Sequence, residues 1–190
     1  LVNFEPLADL ASGFFLEVGN MQGGHLRKLL YAGLFATLAV VASGFHVPVG
    51  PAKVFPFQHA INVLAGITIG PWYGALAAGI AGIIRILLGT GTVFALPGGI
   101  PGALVVGLVY RLWRRDIAGF FEPIGTGIVG AFLSAYLVAP LVGKTGTLLF
   151  FQAAFFASSI PGSILGVVVL RVLRRTVHDA LFCEEVSKRC

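Results

Sequence analysis

The densest run of chemistry in the sequence is Phe55-Pro56-Phe57-Gln58-His59, followed closely by Asn62. Residues three apart share a helix face, so His59 and Asn62 can present an imidazole and an amide side by side. Arg85 interrupts a long apolar stretch. An arginine at the centre of a helix in lipid costs about 2.5–3.5 kcal/mol on insertion scales, so it must face protein or water. Gln58, Asn62 and Arg85 could simply tie loops to helices; contact with a ligand is the sharper alternative. Gly89-Thr90-Gly91-Thr92 could cradle an anion with its N–H groups, or form a plain glycine turn. Gly143-Lys144-Thr145 matches the end of a phosphate-binding loop, but Val138 stands where that motif needs its first glycine, and a strand is missing before it. ATP binding by this chain is not expected. His25, His46, His59 and His178 show no metal-ligand spacing, and no pair of acids lies within the apolar segments. Neither a metal site nor acid–base catalysis is expected.

These residues sit in a chain too apolar to coat a soluble fold. Of its 190 residues, 57% are hydrophobic and only 11% charged, and the mean hydropathy is +0.93. Soluble domains carry about 25% charged residues. A soluble enzyme, a disordered chain and a coiled coil are excluded, and lipid is the solvent. The net charge of +5 does not point to nucleic acid, because the charges are confined between apolar windows. Residues 29–52, 54–84, 86–110, 123–143 and 145–170 contain no Asp, Glu, Lys or Arg. Each exceeds the ~18 residues that make a spanning helix plausible.

The window 54–84 holds Gly70-Pro71 at its middle, where one helix should end and another begin. Six crossings then place Arg27, Lys28, Arg111, Arg114, Arg115, Arg171, Arg174 and Arg175 on one side, leaving Lys53 and Lys144 in loops on the other. The positive-inside rule makes the arginine side cytoplasmic, together with both termini. The expected architecture is an all-α integral membrane protein with helices at 26–45, 56–69, 71–88, 100–115, 123–142 and 153–175. Several are short for a span of ~20 residues, so the outer segments 46–55, 89–99 and 143–152 should dip inward and line a cavity. Residues 26–175 form the membrane domain, and 176–190 a cytoplasmic tail whose Cys183 and Cys190 stay reduced. Residues 1–25 are an N-terminal extension, in which Met21 offers an alternative start. Ala32 and Ala36 form a small-residue face, suited to close helix packing within the chain or against another subunit.

The stretch from Gly50-Pro51-Ala52-Lys53 through Gln58-His59-Ala60-Ile61-Asn62 to Gly66, then Gly70-Pro71-Trp72-Tyr73, resembles the ThiW family. Arg85 with Gly89-Thr90-Gly91-Thr92, Ala95-Leu96-Pro97-Gly98 and Glu122-Pro123-Ile124-Gly125-Thr126-Gly127 extend that resemblance across residues 26–140. It implies a six-helix substrate-binding (S) component of an energy-coupling factor importer, multi-pass in a prokaryotic cell membrane. Such a chain would bind hydroxyethylthiazole, a thiamin precursor, at the outer side. It would work with a transmembrane coupling protein and two ATPase subunits, which consume the ATP, and carry no cofactor of its own. In S components an A-x-x-x-A face on the first helix meets the coupling protein, a role that Ala32 and Ala36 would take.

In the six-span arrangement all eight acids, Glu122 among them, fall on the cytoplasmic side. A cationic ligand such as thiamin would lack a counter-ion in the outer half, whereas a neutral thiazole alcohol needs only aromatic faces and a few hydrogen bonds. The expected site takes Phe55, Phe94 and Phe151 for stacking, supplemented by Phe57 and Phe150, and Gln58, His59, Asn62, Arg85, Thr90, Thr92 and Gln152 for polar contact. His59 ranks first, because neutral imidazole can both donate and accept. An S component for another small neutral or anionic vitamin precursor, a membrane enzyme and a stand-alone channel are the alternatives. Turnover by the purified chain would mark the enzyme, and solute flux without ATP or partners the channel.

Overall fold

The computed structural model describes residues 24–49 and 52–187, with side chains described through residue 176. Met21, the rest of the N-terminal extension through residue 23, and Cys190 lie outside the described residues, as do the side chains of His178 and Cys183. The described residues form six helices: α1 (His25–Ala42), α2 (Pro56–Thr68), α3 (Pro71–Leu87), α4 (Ala95–Trp113), α5 (Asp116–Leu141) and α6 (Leu148–Ser187). Helices α1, α4, α5 and the Leu148–Thr176 part of α6 are long and apolar enough to cross a membrane. Large apolar side chains such as Leu34, Leu38, Ile83, Leu108, Phe132 and Ile164 are exposed along the helices. So much apolar exterior suits lipid contact.

The break at Gly70-Pro71 falls where the sequence puts it. Gly70 has φ +88°, a conformation that favours glycine, and Pro71 opens α3. The start of α1 meets the start of α3 through His25 Nδ1 and the Tyr73 hydroxyl, 2.7 Å apart. Arg174 on α6 joins Asp116 at the start of α5 (2.8 Å) and donates to the Tyr110 hydroxyl near the end of α4 (3.0 Å). The arginine clusters therefore gather at one end of the bundle, as the charge parity requires.

Several boundaries differ from expectation, each for a local reason. A short antiparallel hairpin, β1 (Val47–Val49) with β2 (Ala52–Val54), interrupts the all-α pattern, with Val47 paired to Val54. β-Branched valines favour such a pleated ribbon. Helix α4 begins at Ala95 rather than 100. Pro97 lies in its first turn, where no backbone donor is needed, and Pro101 is tolerated inside a packed membrane helix. Helix α5 opens with a 3₁₀ segment at Asp116–Phe121 and contains π-helical segments at Ile124–Gly130 and Ser134–Val138. Helix α6 starts at Leu148 instead of 153, and its backbone stays helical to Ser187, through most of the expected tail.

Small residues set the packing. Gly107 brings α4 against the start of α3, where an added Cβ would lie 2.5 Å from Pro71 N and Cα. On α1, Ala32 is buried with Ala65 of α2 and Ala77 of α3, and Ala36 with Ala81 of α3. Ala32 and Ala36 thus pack within the chain, one of the two roles expected for this small-residue face. Helix α1 instead presents Leu30, Gly33, Leu34 and Leu38 outward.

Candidate functional site

Helix α2 is the element that makes room for a site. Its 13 residues rise only about 20 Å at 1.5 Å each, against a hydrocarbon core of ~30 Å. Its first turn is therefore recessed at the end opposite the arginine clusters. A cavity of about 410 Å³ fills that recess, within the usual small-molecule range. All three segments expected to dip inward contribute to its wall: Lys53 and Phe55; Gly89, Thr90, Gly91, Thr92 and Phe94; and Lys144, Thr145 and Phe150.

The structure brings Phe55, Gln58, His59, Arg85, Thr90, Thr92, Phe94 and Phe151 together around this cavity. Asn62 and Gln152 do not line it. Asn62 lies one turn deeper on α2, buried, with Nδ2 donating to the Gly99 carbonyl at 3.4 Å. Gln152 leaves the wall because residue 152 is helical rather than loop. Positions 151, 154, 155 and 158 share one face of α6, and Phe151, Ala154, Phe155 and Ser158 do line the cavity. Phe57 is exposed and packs on Phe45, with ring centroids 6.0 Å apart. Phe155 and Ser158 already lie inside the helix expected at 153–175; they were missed because the sequence does not fix which face of that helix turns inward.

Arg85 occupies the last turn of α3 with 1% of its surface exposed. Its Nη1 donates to Gln58 Oε1, and the guanidinium carbon lies 4.3 Å from the Phe55 ring centroid. A hydrogen bond to a charged group contributes about 1.5–3 kcal/mol, and a desolvated cation–π contact about 2 kcal/mol. Together they offset much of a burial penalty of several kcal/mol. The Arg85 Nε is buried with no partner. The Arg85 carbonyl accepts the N–H groups of Thr90 and Gly91, each at 3.0 Å. Those two donors are thereby turned away from the cavity, so the loop is a closed turn at Thr90 and Gly91 rather than an open anion cradle.

Glu122 overturns the expected charge map. Its side chain is fully buried, and Oε1 lies 2.7 Å from both His59 Nδ1 and the Thr126 hydroxyl. The carboxylate therefore stands directly behind a cavity-lining side chain instead of among the arginines at the far end of the bundle. The cause is the recess of α2: His59, near its start, lies at a depth that α5 reaches within two turns of Asp116. With Nδ1 committed to Glu122, Nε2 is the ring nitrogen left for a ligand. The Thr126 hydroxyl, also 2.9 Å from the Gly98 carbonyl, braces the carboxylate against α4. An added Cβ at Gly102 would collide with Glu122 Oε1 and Thr126 Oγ1, so α4 has room for this arrangement only at a glycine.

Two further residues were present in the sequence but read only as topology markers. Lys53, on strand β2, and Lys144, in the loop before α6, both line the cavity. Being the two lysines at this end of the bundle was the signal that could have found them. The Phe55 N–H donates to Ser158 Oγ at 3.2 Å, holding the hairpin strand against α6 beside Lys53.

Comparison with known proteins matches the family described as thiamine-precursor transporter protein (ThiW) over residues 29–176. The biotin transporter BioY of Rhodobacter capsulatus is 31% identical over 178 residues, covering 80% of this chain and 93% of that protein. The biotin transporter BioY of Thermotoga maritima is 27% identical over 155 residues, covering 81% of this chain and 78% of its own.

Proposed function

The chain belongs to the ThiW family, and from that premise we propose that it captures hydroxyethylthiazole in the cavity above α2. It is a membrane transporter of the energy-coupling-factor S-component type, and such components work with a coupling protein and ATPases. The observation that carries the substrate reading is the composition of the wall. Phe55, Phe94, Phe151 and Phe155 supply ring faces, while Gln58, His59 and Ser158 supply hydrogen-bonding groups. A thiazole offers a π face, a ring nitrogen and a side-chain hydroxyl. Stacking contributes about 0.5–1.5 kcal/mol beyond burial, and each hydrogen bond a net ~0.5–1.5 kcal/mol.

The cavity is read as facing outward, with both termini cytoplasmic, because the arginine clusters occupy the opposite end. The case against intact thiamin changes its basis. A carboxylate does stand nearby, but it is bonded to His59, whereas Lys53, Arg85 and Lys144 line the cavity and repel a cation. The biotin transporters among the relatives make biotin the competitor to exclude. Binding of hydroxyethylthiazole, thiamin and biotin to the purified chain tests the reading. Hydroxyethylthiazole should bind, and His59→Ala should weaken it about tenfold, equivalent to about 1.4 kcal/mol. Biotin binding with no measurable thiazole binding would overturn it.

A further inference from the structure

Among the described residues three cations line the cavity and no carboxylate does. Lys53, on the hairpin strand β2, and Lys144, in the loop before α6, are both exposed, so water can solvate them; Arg85 is almost wholly enclosed. A guanidinium in that position needs an anion, because low-dielectric surroundings leave a buried charge uncompensated unless it is paired. None of the described acids serves. The described ion pairs are His59 with Glu122 and Arg174 with Asp116, and neither includes Arg85. Gln58 and the Phe55 ring contact the guanidinium but contribute no negative charge, and its buried Nε has no acceptor. Arg85 lines the cavity, so an acceptor from outside the chain would reach it there.

We propose that the substrate carries an acidic group, a carboxylate or a phosphate, which enters between Lys53 and Lys144 and completes the charge of Arg85. The proposal rests on the reading of this cavity as the thiazole site and specifies the form that the site holds most tightly: an acid of the thiazole in preference to the neutral alcohol, which binds more weakly. The geometry divides the labour. The two lysines, flexible and hydrated, attract the anion at the mouth. The arginine, fixed by Gln58 and Phe55, offers its remaining donors to the acid, while the phenylalanines take the ring. Glu122 stays out of this circuit because His59 and Thr126 hold it.

The test compares three probes on the purified chain in lipid nanodiscs at low and high salt: hydroxyethylthiazole, its phosphate monoester, and the carboxylic acid of the same carbon skeleton. At least one acid should bind ten or more times tighter than the alcohol. Preference for the ester identifies a phosphate and preference for the carboxylic acid a carboxylate. Lys53→Gln with Lys144→Gln, both at exposed positions, should cut that preference at least threefold and weaken its salt dependence. Arg85→Gln should erase the preference, and Arg85→Lys should restore part of it. Alcohol binding as tight as either acid overturns the proposal while leaving the thiazole site standing. An acid preference that survives both the lysine pair and Arg85→Gln overturns the assignment to these residues. No binding of any thiazole overturns the site and the proposal together.

Discussion

Replacing Glu122 by glutamine removes the buried negative charge but preserves side-chain volume and one acceptor oxygen. The wild-type contact is a charge-assisted hydrogen bond, 2.7 Å from His59 Nδ1 to Oε1. Such bonds contribute about 1.5–3 kcal/mol, against ~0.5–1.5 kcal/mol for a neutral pair. The difference is on the order of 1 kcal/mol, or about fivefold in an equilibrium constant. Because Glu122 does not line the cavity, all of that loss must pass through His59, whose tautomer and tilt the carboxylate sets. Glu122→Gln should therefore fold and bind hydroxyethylthiazole roughly three- to tenfold more weakly. Titration calorimetry on the purified chain gives the affinity, and thermal unfolding in the same detergent shows whether the fold persists. The decisive measurement is a double-mutant cycle with His59→Ala. Once the imidazole is gone, Glu122→Gln should cost little further affinity, giving a coupling of at least about 0.5 kcal/mol. Wild-type affinity in Glu122→Gln, or losses that simply add, would refute the argument that the carboxylate acts through His59.

Labels introduced at Lys53 and Lys144 should react from outside intact cells, and a tag after Lys188 only after permeabilisation; the reverse pattern inverts the orientation. Ala32→Leu with Ala36→Leu should lower thermal stability and ligand binding together, since both side chains are enclosed by α2 and α3; normal binding with blocked uptake would instead restore their docking role. Gly107→Ala should destabilise the bundle by about 1–3 kcal/mol through overpacking against Pro71. Gly33→Ala, with nothing within 4 Å of the added Cβ, should leave the unfolding temperature unchanged.

What the sequence made legible was whatever depends on one segment at a time. Charge-free windows announce spans because lipid excludes charge from every one of them, and the α2–α3 break follows from two adjacent residues, Gly70 and Pro71. Phe55, Gln58 and His59 could be placed together because a single helix start carries them. The residues that escaped depend on how segments meet. Whether Ala32 faces a neighbour or lipid is a rotation of α1 that its own composition leaves open. A five-residue shift in the start of α6 took Gln152 out of the wall, and the rotation of α6 put Phe155 and Ser158 into it. No rule local to 143–152 fixes that boundary, since Gly143 and Gly146 permit a loop and Leu148 onward permits a helix.

Glu122 shows why counting charges by side of the membrane was the wrong sum for ligand choice. Topology depends on which loop a charge borders, and Glu122 borders the arginine side. Ligand electrostatics depends on what a charge touches, and a helix of 13 residues lowers the cavity floor until that carboxylate touches His59. The same distinction applies to Lys53 and Lys144, which are minor terms in the topology and major ones in the cavity. A charge near an end of the bundle therefore has two values, one set by distance to the nearest loop and one by the recess of its neighbours. In this protein the two disagree at Glu122, where the bonded partner decides its effect on binding, and at Arg85, which pairs with none of the described acids, so that the sign of the ligand is the quantity to measure.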